Sequence, residues 1–213
     1  MSDTGNHVAA AGAQTGRATH GEPARGTASR RRLTVVSGPS GVGKSSVMDE
    51  LRRLRPDIFF SVSVTTRAPR PGEVDGVHYH FIDRAVFDKM VAAGELLEHA
   101  EFAGNCYGTP REPVERALAE GRPAVLEIEL QGARQVRAAM PDARLVMLIP
   151  PTWDELVGRL TGRGTEEEAA VRARLTEAER ELAAAGEFDA RVVNADVTSA
   201  AEQLLSLMNT DFE

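Results

Sequence analysis

The chain has 213 residues, 42% hydrophobic and 27% charged, a balance that fits a globular protein with a real core. A formal net charge of −7 argues against a nonspecific nucleic-acid binder, so any cationic site must be assembled locally from a few arginines. A single cysteine, Cys106, excludes an internal disulfide and a multi-cysteine metal centre, and no apolar run approaches the roughly 18 residues of a membrane span.

Residues 1–32 are rich in Ala, Gly, Thr and Arg and nearly devoid of large apolar side chains, which predicts a disordered tail. Val8-Ala9-Ala10-Ala11 is too short for a signal-peptide core, so a cytoplasmic location is expected. Arg30-Arg31-Arg32 reads as the solvated end of that tail. The apolar run Leu33 to Val36 then predicts a buried strand, followed by Gly38-Pro39-Ser40-Gly41-Val42-Gly43-Lys44-Ser45. Behind it, Val47, Leu51 and Leu54 recur at helical spacing. Strand, G-x-x-x-x-G-K-S loop and helix form the context of a P-loop. Its glycines let successive N–H groups converge on phosphate oxygens, and the helix adds the positive end of its dipole. Lys44 is expected on the β/γ-phosphates and the Ser45 hydroxyl on Mg²⁺, so the motif points to a nucleoside triphosphate.

Arg55-Pro56-Asp57 ends the helix, and Ile58 to Ser63 reads as a second strand. Thr65 to Glu73, with two prolines, two arginines and a glycine, reads as a loop. Val77 to Phe81 alternates like a short strand. Asp83 can cap a helix whose Val86, Phe87, Met90 and Val91 share a face and which Gly94 stops. Glu95 to Phe102 and Gly104 to Gly108 suggest another strand and turn, so the region from 63 to about 110 looks like a small α+β insertion.

The alternating pattern then resumes: a helix from about Glu112 to Ala119, a strand from Ala124 to Leu130, a helix from about Ala133 to Ala139, and a strand from Arg144 to Ile149. Thr152-Trp153-Asp154-Glu155 and Thr165-Glu166-Glu167-Glu168 read as capping boxes, the second opening a helix to about Ala185. Arg191-Val192-Val193 is a short last strand, and Ser199-Ala200-Ala201-Glu202 caps the final helix. The expected fold is α/β, a three-layer P-loop NTPase architecture with a parallel central sheet. Its expected parts are a core of residues 33–62, 111–152 and 176–208, an insertion at 63–110 and a helical lid at 153–175. Residues 209–213 form the C-terminal end.

A P-loop alone does not separate a kinase from an NTPase or a switch. Arg67 and Arg70 lie three apart in the insertion, with Ser63 and Tyr79 near them in sequence; forked guanidiniums and hydroxyls suit a second phosphate, although solvated loop arginines would read the same. Glu127 and Glu129, two apart on one apolar strand, share a face that is costly unless it opens on a site. Val171, Leu175, Ala178 and Leu182 form a helical stripe with Arg174 beside it, while Arg172 and Arg180 point further towards solvent.

Phe60-Ser61-Val62-Ser63-Val64-Thr65-Thr66-Arg67-Ala68-Pro69-Arg70-Pro71-Gly72-Glu73, then Gly76, Tyr79 and Phe81, is followed by Glu98-His99-Ala100-Glu101-Phe102-Ala103-Gly104-Asn105-Cys106-Tyr107-Gly108-Thr109. Leu130-Gln131-Gly132, Arg159, Gly162-Arg163-Gly164-Thr165-Glu166 and Val193-Asn194 come later. In this order behind the P-loop, the pattern resembles the guanylate kinases over residues 33 to about 208. The resemblance implies transfer of the γ-phosphoryl of ATP to GMP or dGMP with Mg²⁺, on a P-loop core with an acceptor-binding insertion and a mobile lid. It implies that Ser63, Arg67, Arg70, Tyr79 and Tyr107 hold the GMP phosphate, that Glu98 and Thr109 read guanine, and that ATP lies on residues 38–46, Gly38 to Ser46, with Asn194 near its adenine. It selects Arg159, Arg163 and Arg174 as lid arginines acting with Lys44, Arg67 and Arg70.

Mg²⁺ is expected on Ser45 and, through water, on Glu127. The family usually has aspartates at Glu127 and Glu129, so the longer side chains leave their roles, metal or GMP, open. The expected partners are ATP and GMP, with neither nucleic acid nor membrane, in a monomer or homodimer. Two rivals remain at this point: a kinase of phosphorylated sugars, which would not need the base-reading Glu98 and Thr109, and a non-catalytic phosphopeptide-binding module, which would not need Lys44 and Ser45.

Overall fold

The computed structural model describes residues 33–102, 104–161 and 168–209. Its central sheet is built from β1 (Leu33–Ser37), β2 (Phe59–Phe60), β7 (Ala124–Glu127), β8 (Arg144–Ile149) and β9 (Ala190–Val193). They lie in the order β2-β7-β1-β8-β9, every neighbouring pair parallel. The central strands are buried on both faces. Val35, Leu126, Leu145 and Met147 point to one side, where they meet α3 (Arg111–Ala119), α4 (Leu130–Ala139) and the 3-10 turn Ala184–Glu187. The alternate residues Val36, Val125, Val146 and Leu148 meet α1 (Lys44–Leu54), α5 (Trp153–Thr161), α6 (Glu168–Ala183) and α7 (Val197–Asn209). The period of two along each strand thus produces the three layers.

A second sheet collects β3 (Val64–Thr65), β4 (His80–Phe81), β5 (Leu96–Phe102) and β6 (Asn105–Pro110), in the order β4-β3-β6-β5. The helix α2 (Arg84–Ala92) covers it through Phe87, which packs with Val64, Leu96, Cys106, Met90 and Val91.

Several local expectations change. The run from Ile58 to Ser63 is not one strand: Phe59–Phe60 pair with β7, the chain crosses over, and Val64–Thr65 pair in the other sheet. Only His80–Phe81 of the alternating segment joins a ladder. Val86 is exposed rather than on the buried face of α2, and Asp83 caps that helix without a side-chain hydrogen bond. The final helix starts at Val197, and its cap is Asp196, whose carboxylate accepts from the Ser199 N–H at 2.8 Å. Thr152 does cap α5, accepting from the Glu155 N–H at 3.2 Å. The second capping box, 165–168, falls mostly outside the described residues.

Candidate nucleotide-phosphate site

The strands β1, β7, β8 and β9 run in parallel, so their carboxyl ends open together, which is where α/β sheets hold ligands. The P-loop leaves β1 there. Gly43 takes φ 95° at the N-cap of α1, and a Cβ on it would lie 2.6 Å from the Asn194 side-chain nitrogen, so only glycine serves. Asn194, at the end of β9, is buried and donates to the Val42 carbonyl at 2.7 Å. Arg159 of α5 donates to the same carbonyl at 3.2 Å and to the Asn194 carbonyl at 3.3 Å. In this conformation both brace the loop from behind.

The Lys44 ammonium is folded back over the loop, donating to the Gly38 and Pro39 carbonyls. Desolvation lowers its pKa; the carboxylates of Glu181, Glu127 and Glu129 oppose that. Ser45, exposed at the start of α1, donates to a Glu127 carboxylate oxygen at 3.1 Å. Ser40, Gly41 and Ser46 are also exposed on the loop's open side. Arg174 reaches across from α6 to the Ser40 hydroxyl at 3.1 Å, and it is half-buried while Arg172 and Arg180 are exposed, as the helical stripe anticipated. Arg163 lies outside the described residues.

Glu181 carries a signal that sequence reasoning missed. It is only 7% exposed, and desolvation raises its pKa to about 7, against the pull of Lys44 and the Ser40 N–H. Glu181 falls seven residues after Arg174 and three after buried Ala178, so all three share one face of α6. That spacing was readable beforehand, but nothing in the chain alone says that this face meets the P-loop.

The other half of the site is on the second sheet. Arg67 forms a two-pronged pair with Glu73, at 2.9 and 2.8 Å, which holds the Glu73 carboxyl at about 2. Its guanidinium lies 5.4 Å from the Tyr79 ring centre, and Tyr79 meets Tyr107 edge-on at 6.0 Å. Arg70 is exposed, its N–H donating to Glu73 at 2.6 Å, and Ser63 is half-buried with its carbonyl accepting from the His80 N–H. Deeper in the sheet, Thr109 donates to Glu98 at 2.6 Å. Glu98 is 6% exposed, and desolvation raises its pKa, assisted by Glu129.

Glu127 and Glu129 stand between the halves, but not as residues of a single strand. β7 ends at Glu127, and Glu129 is the N-cap of α4, because Leu130 turns into the core and begins the helix. Glu127 touches Ser45, and its charge adds to the rise that burial and Tyr107 impose on the Tyr79 phenol pKa, while the charge of Glu129 acts on both Lys44 and Glu98.

A parallel α/β core with a P-loop at the end of β1, joined to a second sheet lined with arginine, tyrosine and carboxylate, defines a P-loop protein with two polar half-sites. The family model described as Guanylate kinase matches residues 30–211. A guanylate kinase of Thermobifida fusca is 62% identical over 88% of this chain and 95% of its own length. One of Streptomyces coelicolor is 59% identical over 84% of this chain and 91% of its own. The crystal structure of guanylate kinase from Anaplasma phagocytophilum superposes with a TM-score of 0.67 at 34% identity, covering 83% of each chain. The chain belongs to the guanylate kinase family.

Proposed function

We propose that this protein transfers the γ-phosphoryl group of ATP to GMP or dGMP, giving ADP and GDP or dGDP, in purine nucleotide metabolism. The observation that carries the reading is Glu98: a buried carboxylate held by Thr109 and within electrostatic reach of Glu129, which also acts on the P-loop lysine. An ionised carboxylate accepts from both N1–H and the 2-amino group of guanine, whereas adenine turns an acceptor, N1, towards it. A phosphorylated sugar would bring no base N–H groups to that carboxylate, and a phosphopeptide module would leave Lys44 and Ser45 without a task.

In this reading the insertion, residues 63–110, holds GMP, with Ser63, Arg67, Arg70, Tyr79 and Tyr107 around its phosphate. Residues 153–175 act as the lid, with Arg159, Arg163 and Arg174 drawn onto the triphosphate as it closes. The P-loop N–H groups and Lys44 neutralise charge that spreads over the transferred group, so the protein mainly positions and stabilises. The acceptor phosphate is already anionic, so no side chain has to remove a proton. Lid closure excludes water, which would otherwise compete as acceptor. Ser45 and Glu127 offer adjacent hard oxygen donors of the kind Mg²⁺ prefers, and their hydrogen bond shows that both reach one point. When bound there with ATP, Mg²⁺ neutralises charge on the phosphates. No helix among the described residues is long and apolar enough to cross a membrane, and a cytoplasmic site of action accords with the proposed substrates.

A coupled ADP-release assay with GMP, dGMP, AMP, UMP and a phosphoribosyl substrate tests the reading. GMP is expected to be the best acceptor; a clear preference for AMP or the sugar phosphate overturns it.

A further inference from the structure

Glu98 sits on β5, the edge strand of the second sheet, just after an irregularity. Leu96 is registered with Pro110 and Glu98 with Thr109, so β5 spends one extra residue, Leu97, against none on β6. A bulge of this kind re-aims the side chains beyond it, and a one-residue slip would turn Glu98 to the opposite face. An edge strand beyond a bulge needs something else to fix it.

The structure supplies that on α4. The Gln135 amide donates to the His99 carbonyl at 2.8 Å, and its oxygen accepts from the His99 N–H at 3.1 Å. One side chain thus satisfies both main-chain groups of His99, as a pairing strand would. One turn earlier on α4, Gly132 abuts Glu98 itself. A Cβ on Gly132 would lie 2.6 Å from Glu98 Oε2 and 3.1 Å from its carboxyl carbon, while Thr109 holds Oε1. Gly132 has an ordinary helical backbone, so its lack of a side chain serves close approach and not backbone freedom. Within a helix a glycine is less favourable than alanine, which argues for a specific use of the space.

We propose that Gln135 and Gly132 are positioning residues for base selection: Gln135 pins the main chain beside Glu98, and Gly132 leaves the space that fixes the direction of its carboxylate. The inference rests on Glu98 reading guanine. The helix that carries the clamp is capped by Glu129, two residues after the core strand β7 ends, so the alignment of the base is tied to the core sheet and not left to the insertion alone.

Two substitutions test it in the full-length protein: Gln135→Met, which keeps length but loses both hydrogen bonds, and Gly132→Ala. Steady-state kcat and KM are measured for GMP and for inosine monophosphate, which lacks the 2-amino group, together with KM for ATP. Each variant is expected to raise KM for GMP on the order of tenfold and to narrow the preference for GMP over inosine monophosphate by a similar factor. kcat and KM for ATP should stay within about twofold, as only alignment of the acceptor base is disturbed. In the Glu98→Asp background, whose shorter side chain withdraws from position 132, the effect of Gly132→Ala should shrink severalfold. An unchanged preference in Gln135→Met, or a Gly132→Ala effect of full size in the Glu98→Asp background, overturns the clamp. Loss of GMP preference in the wild-type protein would instead overturn the proposed function, so the two failures are distinguishable.

Discussion

Glu181 makes stability depend on pH in a direction opposite to that of a salt-bridged surface carboxylate. Its carboxyl titrates at about 7 in the folded protein against an ordinary 4.5, because burial penalises the charge more than Lys44 and the Ser40 N–H repay it. The folded state therefore holds this proton more tightly than the unfolded chain. The stabilisation is fully present below about pH 4.5 and is lost as pH rises through about 7. At about 1.4 kcal/mol for each tenfold difference in proton affinity, the whole gap corresponds to about 3 kcal/mol, most of it expressed between about pH 5 and about pH 8. A glutamine side chain cannot ionise but still accepts a hydrogen bond, so Glu181→Gln removes this dependence. Urea unfolding of both proteins at about pH 5 and about pH 8 reads it: the variant should gain about 2 to 3 kcal/mol on the wild type across that interval. Parallel behaviour of the two proteins within about 0.5 kcal/mol would show that Glu181 keeps an ordinary pKa and that its burial carries no electrostatic penalty.

Three further outcomes are expected. Lys44→Ala should lower kcat in the coupled ADP-release assay by on the order of a thousandfold while thermal unfolding changes little, since among the described residues the ammonium donates its hydrogen bonds to its own loop. Glu98→Gln should reduce the preference for GMP over AMP by roughly tenfold to a hundredfold in competition assays, because an amide can offer adenine N1 the donor that a carboxylate lacks. Gly43→Ala should destabilise the fold by about 2 kcal/mol in urea unfolding and weaken ATP binding, because alanine is strained at that φ and its methyl displaces the Asn194 amide.

The core was legible because its physics is local. Strands buried on both faces appear as continuous apolar runs, and the glycines, Lys44 and Ser45 of the P-loop occupy adjacent positions. What the chain hid was pairing. The segment Ile58 to Ser63 looks uniform, and only the strands on either side decide that Phe59–Phe60 belong to one sheet and Val64–Thr65 to another. Ile128 and Leu130 are both buried, which extended the apparent strand past Glu127 although the backbone there enters a helix. Val86 fits the apolar period of α2, but the partner face ends at Phe87, Met90 and Val91. Gly132 and Gln135 gave no sign of their surroundings, because what they meet comes from a strand more than thirty residues away and in the other sheet.

The longer side chains at 127 and 129 bear on how the halves cooperate. Glu127 reaches Ser45 directly, and Glu129 acts electrostatically on Lys44, Glu181 and Glu98. Two negatively charged substrates brought to either side of such groups would repel them and each other, so the acidic bridge favours a state in which cations enter with the phosphates. Lys44, Arg174 and Arg67 already stand at the rim, but Arg67 is committed to Glu73 and Lys44 to its own loop. In the proposed reading each substrate displaces an internal partner as it binds, the triphosphate drawing Lys44 from its loop carbonyls and the acceptor phosphate drawing Arg67 from Glu73. The carboxylates between the two proposed phosphate sites, Glu127, Glu129 and Glu181, come from β7, the cap of α4 and α6, and from neither the P-loop nor the insertion.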